Sequence, residues 1–210
     1  MSVGRIIETD ACVAEGADWL AAQDPRFAAA LAETGPLPLR RRDDGFEALL
    51  SAIVSQQVSV ASARAIWARM EAAGYTSPQT IIAASDDDLR AAGLSRQKAR
   101  YARALAEAGI PFVELRDAPT DRIVATLTKV PGIGVWTAEV YAMFSLGRAD
   151  VFAPGDLALQ DGARRLYDLP ERPTDRDLRR MAEAWSPWRS VAARLLWAYY
   201  ALETRREGTR

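Results

Sequence analysis

The chain has 210 residues and a net charge of −1, from 27 Lys and Arg against 28 Asp and Glu. That length accommodates one large domain or two small interlocked ones, and the near-neutral balance argues against a binder that lives on nonspecific phosphate attraction. There is no histidine and a single cysteine, Cys12, so imidazole chemistry and an internal disulfide are both excluded, and no apolar run reaches the length needed to span a bilayer.

Alanine, leucine and arginine dominate and β-branched runs are short, so the pattern is helical throughout. Asp18 to Thr34 is predicted as one helix, with Trp19, Leu20, Phe27 and Leu31 on an apolar stripe that Gly35-Pro36-Leu37-Pro38 ends. Phe46, Leu49, Leu50, Ile53 and Val54 form the next stripe, a second helix restarts near Ser59, and Gly74-Tyr75 closes the pair. Ser77-Pro78 opens a short helix with proline in its first turn. Ser85 caps the next, with Asp86 to Asp88 well placed against the helix dipole. Gly93-Leu94 stops that helix and Ser95 starts one that runs to Ala108. Thr120 is expected to cap Asp121 to Lys129, followed by a glycine hairpin and a helix over Trp136 to Leu146. Leu157 to Tyr167 and Thr174 to Trp185 are further helices; Pro187 breaks the chain before Val191 to Leu202, and the tail from Arg205 on is expected to fray. The sum is a compact all-α bundle of about ten helices over residues 1–210, built as one large domain or as two small interlocked subdomains.

The chemistry concentrates around Pro131-Gly132-Ile133-Gly134 and Pro154-Gly155-Asp156. Glycine in a turn between two helices permits positive φ and close approach of a ligand. N–H groups at the start of the second helix lack intrahelical acceptors and suit an anion such as a DNA phosphate. Asp156 before Leu157 reads by itself as an ordinary helix cap. With no histidine in the chain, acid–base work falls mainly to carboxylates.

The hairpin, the helix after it and Asp156 resemble the helix-hairpin-helix superfamily of DNA base-excision glycosylases. Val151-Phe152-Ala153-Pro154-Gly155-Asp156 is similar to the 3-methyladenine DNA glycosylase II branch, which removes alkylated bases. Ala52-Ile53-Val54-Ser55-Gln56-Gln57-Val58-Ser59-Val60 resembles that branch's early helix and DNA-wedge loop, and Trp185-Ser186-Pro187-Trp188-Arg189-Ser190 its late pocket motif. Order and spacing agree from about Asp18 to Tyr200, so the catalytic core is placed at about Asp18 to Leu202. Some members carry an additional N-terminal β domain, for which this chain shows no strand pattern; it reads as a minimal form. A single cysteine excludes the four-cysteine iron–sulfur cluster of other members.

The resemblance implies roles residue by residue. Asp156 becomes the catalytic carboxylate, stabilising positive charge on the sugar as the C1′–N bond breaks and orienting water, and it can cap its helix as well. Pro131, Gly132, Ile133, Gly134 and Thr137 become DNA contacts. Gln57 takes the position of the wedge that fills the hole left by a flipped base, where leucine is one known choice. Trp136, Tyr141, Trp188 and Gln56 are assigned to the base pocket, where aromatic faces suit cationic alkylpurines. Tyr141 lies roughly one and a half turns beyond Trp136 and is expected to face a similar direction. Trp19, Trp67, Trp185 and Trp197 are read as core. Where strand-cutting relatives carry a lysine this chain has Trp136, so a monofunctional enzyme is implied, with Lys98 and Lys129 the residual amines. Gly93 to Lys98 reads equally as a second phosphate grip or a solvated basic face.

The leading expectation is therefore a monofunctional glycosylase for alkylated purines. A mismatch uracil or thymine glycosylase, an oxidised-base enzyme and a noncatalytic hairpin protein are the alternatives. Damaged double-stranded DNA is the expected partner, with no membrane, no metal and a monomeric, cytoplasmic, nucleoid-associated protein if bacterial. No cofactor is expected, with a monovalent cation at the hairpin backbone left open.

Overall fold

The computed structural model describes residues 3–208. Among these there are thirteen α-helices and one 3₁₀ turn, and the extended pairing is limited to an isolated antiparallel bridge between Ile6 and Arg148. The fold is all-α, with more and shorter elements than the sequence pattern suggests. Packing divides it into two units, one made of the chain up to Arg41 and from Ala142 on, the other of Arg42–Tyr141.

The first unit opens with α1 (Asp10–Gln23) and α2 (Pro25–Thr34). These replace the single helix expected over Asp18 to Thr34. The break is local: a proline pushes its predecessor out of the helical region, and Asp24 is extended at φ −145°. Its carboxylate then accepts from the Arg26 amide at 2.9 Å while Pro25 occupies the first helical position. The same unit holds α11 (Leu157–Leu166), α12 (Asp175–Met181), a 3₁₀ turn (Ala182–Trp185) and α13 (Arg189–Gly208). Gly162 lets α11 meet α13 closely, since a Cβ there would lie 2.7 Å from the Leu196 carbonyl oxygen. Trp185 is core, as expected, edge-on to Phe27 at 5.7 Å and to Phe152 at 5.2 Å between ring centres. The tail differs from expectation. Instead of fraying at Arg205, α13 runs to Gly208, with Arg206 pairing Glu33 and Glu203 and Arg165 pairing Glu207; residues 209–210 lie outside the described chain.

The second unit contains α3 (Phe46–Ser55), α4 (Val60–Ala72), α5 (Pro78–Ala83), α6 (Asp86–Ala91), α7 (Arg96–Glu107), α8 (Phe112–Leu115) and α9 (Thr120–Leu127). Helix α7 is its hub, packing on α3, α5 and α6. Ser59, Ser77, Ser85 and Ser95 cap the helices that follow them, and Ser77 and Ser85 close capping boxes with Thr80 and Asp88. Thr120 is not a cap: it is the first helical residue, and Pro119 stands before it without a side-chain bond. The one-turn α8 has too short a period to be read from sequence. Helix α10 (Val135–Phe144) begins in the second unit and ends in the first.

Candidate active site

In the second unit, α9 closes into a tight turn through bonds from the Val130 amide to Leu127 O at 3.1 Å and from the Ile133 amide to Val130 O at 3.0 Å. Ile133 is buried and anchors the turn, while Pro131 and Gly134 are exposed. The two glycines have different reasons to be there. Gly132 sits at φ +91° with the Tyr101 ring so near that a Cβ would lie 2.5 Å from it. Gly134 has open space around it. The start of α10 therefore offers N–H groups beside a residue with no side chain, the geometry an oxyanion of a phosphate requires. The side chain of Thr137, one of the expected DNA contacts, is buried, about 100° around α10 from the exposed Trp136.

Helix α3 ends beside this turn. Gln56, expected in the base pocket, ties the end of α3 to this turn: its Nε2 donates to the Gly132 carbonyl at 2.8 Å. Lys98 Nζ donates to the Val54 carbonyl at 2.6 Å, and partial burial lowers the pKa of its ammonium. The segment Gly93 to Lys98 is thus no simple basic face, since its lysine is turned inward to satisfy an α3 carbonyl. Gln57 follows with φ +55°, a left-handed conformation that costs a non-glycine residue about 1–2 kcal/mol. Its side chain is exposed, as are those of Val58 and Val60 that follow it.

Trp136 and Tyr141 differ in exposure. Trp136 is 45% exposed and Tyr141 only 4%. Five residues turn a helix by about 140° beyond one full revolution, so the two rings leave α10 in different directions, against the expectation of a common face. The Tyr141 hydroxyl accepts from the Gly45 amide at 2.9 Å, and burial pushes its pKa up to about 12. Trp188 belongs to the first unit and is buried. Its ring fills the space a Cβ on Gly16 would need, 2.6 Å away, and the Arg5 guanidinium stands 5.7 Å from the ring centre. Asp150 holds the motif around it, accepting from Ser186 Oγ at 2.9 Å and from Arg189 Nη2 at 2.9 Å. Burial raises the pKa of Asp150, but the Arg189 and Ser186 bonds outweigh it, so the group lies below the usual carboxylate range.

Asp156 is half-buried at the start of α11. Its Oδ1 accepts from the amides of Ala158 at 2.9 Å and Leu159 at 3.1 Å, which makes it the helix cap. Gln160 Nε2 donates to the Pro154 carbonyl at 2.8 Å and fixes the preceding loop. A third donor reaches the same oxygen: the indole N–H of Trp197 on α13, at 3.2 Å. Trp197, read as core from sequence, is half-buried, with its ring 5.7 Å from that of Phe144 at an interplanar angle of 30°. The only hint in the sequence is an indole on the last helix, and nothing short of the fold brings it to Asp156. Such a carboxylate, held by donors from two helices, can stand beside a developing cation without reorganising.

The model of the HhH-GPD superfamily of base excision DNA repair proteins matches residues 50–188. DNA-3-methyladenine glycosylase 1 of Schizosaccharomyces pombe is 32% identical over 165 residues, covering 74% of this chain and 72% of the relative. DNA-3-methyladenine glycosylase 2 of Escherichia coli is 33% identical over 168 residues, covering 73% and 57%. Among solved structures, the S. pombe 3-methyladenine DNA glycosylase in complex with abasic DNA superposes with a TM-score of 0.78 at 30% identity, over 87% of this chain and 95% of the other. A DNA-3-methyladenine glycosidase from Bacillus halodurans gives the same TM-score at 37% identity, over 89% and 88%. With its hairpin, its capped acid and a family match across more than half of its length, the chain belongs to the HhH-GPD superfamily of base excision DNA repair proteins.

Proposed function

We propose that this protein is a monofunctional DNA glycosylase that hydrolyses the N-glycosidic bond of alkylated purines of the 3-methyladenine and 7-methylguanine type. The observation that carries the reading is Asp156, held by two main-chain amides and an indole at the mouth of α11 in a member of a base-excision family. The names of its relatives support alkylpurines as the substrate class.

Damaged duplex DNA docks with a phosphate on the N–H groups at the start of α10, beside Gly134. The damaged nucleotide swings out, and Gln57 enters the stack in its place. The exposed indole of Trp136 offers a face to the electron-poor base, an interaction typically worth about 1–3 kcal/mol. As the C1′–N bond breaks, the base leaves with the electron pair and positive charge grows on the sugar. The Asp156 carboxylate stabilises that charge. Water adds to C1′, Asp156 orients it and takes up the proton it loses before passing it to solvent, and the products are the released base and an abasic sugar bearing a new hydroxyl. The step requires no cofactor; a monovalent cation on the hairpin carbonyls would strengthen only the phosphate grip. One copy of the chain suffices for this chemistry.

Chromatography of bases released from methylated DNA, run beside uracil-containing duplex of the same sequence, tests the proposal. Release of 3-methyladenine or 7-methylguanine well above uracil is expected. Comparable or preferred release of uracil identifies a mismatch glycosylase instead, and no release of any base identifies a DNA-binding protein.

A further inference from the structure

We propose that Trp197 is a positioning residue for Asp156, acting through its indole N–H; this rests on the reading of Asp156 as the catalytic carboxylate. The two residues are 41 positions apart and meet because α11 packs on α13 through Gly162. Capping alone explains two of the bonds on Asp156 Oδ1, those from Ala158 and Leu159. It does not require the third, which comes from another helix and from a donor that has no acceptor function to confuse the bond's direction.

The indole is itself held. Its ring lies against Phe144, and the guanidinium of Arg194 stands 4.8 Å from the Phe144 ring centre. Arg194 is 1% exposed and donates to the Leu39 carbonyl at 3.0 Å and to Ser190 Oγ at 2.7 Å. A line of contacts thus runs from a buried cation in the core through two stacked rings to one carboxylate oxygen. Two amides fix Oδ1 to its own helix. A third donor, from α13, ties the same oxygen to a second helix and so narrows the orientations open to the carboxylate.

Trp197→Phe removes the N–H and keeps a ring against Phe144. The single-turnover rate of base release should fall roughly tenfold, the scale of a modest misplacement of a reacting group. Affinity for duplex containing an abasic-site analogue and the thermal midpoint should stay close to those of the parent protein. In an Asp156→Asn background the same change should cost nothing further, because the charge it positions is gone. A parent-like rate in Trp197→Phe overturns the proposal, and so does an equal loss in both backgrounds. If Trp197→Phe does not fold, the indole ¹H–¹⁵N resonance of Trp197 decides: a shift on Asp156→Asn substitution supports the bond, and an unmoved resonance overturns it. Full activity of Asp156→Asn alone refutes the catalytic reading of Asp156, an outcome distinct from an inactive Asp156→Asn paired with a fully active Trp197→Phe.

Discussion

At the scale of single residues, Asp156 carries two demands that do not conflict. Capping uses the lone pairs of one oxygen, whereas stabilising a sugar cation uses the negative charge of the whole group. The amines provide the complementary constraint. The sequence contains two lysines. Lys98 is engaged with the Val54 carbonyl, and Lys129 stands at the end of α9. Strand cutting by β-elimination requires an amine to form an imine at C1′, and the position resembling the lysine of cutting relatives is Trp136. Incubation with alkylated duplex and borohydride should therefore give no covalent protein–DNA band, and the DNA strands should stay intact until treated with alkali. A trapped band would place a lysine or the terminal amine at the sugar.

At the scale of elements, the hairpin makes a prediction about its two glycines. Gly132→Ala puts a Cβ at positive φ and into the Tyr101 ring, so it should destabilise the fold by on the order of 1–3 kcal/mol, read from chemical denaturation. Gly134→Asp meets no neighbour and should leave the midpoint unchanged while weakening binding to lesion DNA through bulk and like charge. Equal effects of both substitutions on stability, or unchanged affinity in Gly134→Asp, would mean that this turn is not the phosphate grip. Serine caps are a further case. Ser85→Ala removes the acceptor for the Asp88 amide and half of a capping box, so a loss of about 1 kcal/mol is expected in the same assay.

Elements also show what sequence can carry. The serine caps, the Pro-Gly-Ile-Gly turn and the acid before α11 were legible because each is set by residues within four positions of one another. The break at Asp24 was legible in principle, since Pro25 forbids the preceding residue a helical conformation, but the continuous apolar stripe from Trp19 to Leu31 masks it. The bonds from Gln56 to Gly132 and from Trp197 to Asp156 span long stretches of chain, and no periodicity encodes them. Polar or amphipathic side chains of this kind read as a surface residue or a core aromatic until the fold gives each a partner.

At the scale of the whole molecule, the charge balance limits how DNA is held. A net charge of −1 leaves little long-range attraction, so grip must come from main-chain amides and a few local cations. The dependence of affinity on salt should be shallow, a log–log slope of about −3, with each neutralised phosphate contributing about −0.9. A much steeper slope would mean that side-chain cations neutralise more phosphates than this account allows.

The central claim is that Asp156 supplies the charge that breaks the glycosidic bond. Asn caps a helix as well as Asp, so Asp156→Asn preserves α11 and removes only the charge. The decisive measurement is the single-turnover rate of 3-methyladenine release from duplex DNA by Asp156→Asn, alongside its affinity for the same duplex. The rate should fall by on the order of 10²–10³-fold with affinity retained. A rate within a few-fold of the parent protein's would contradict the account.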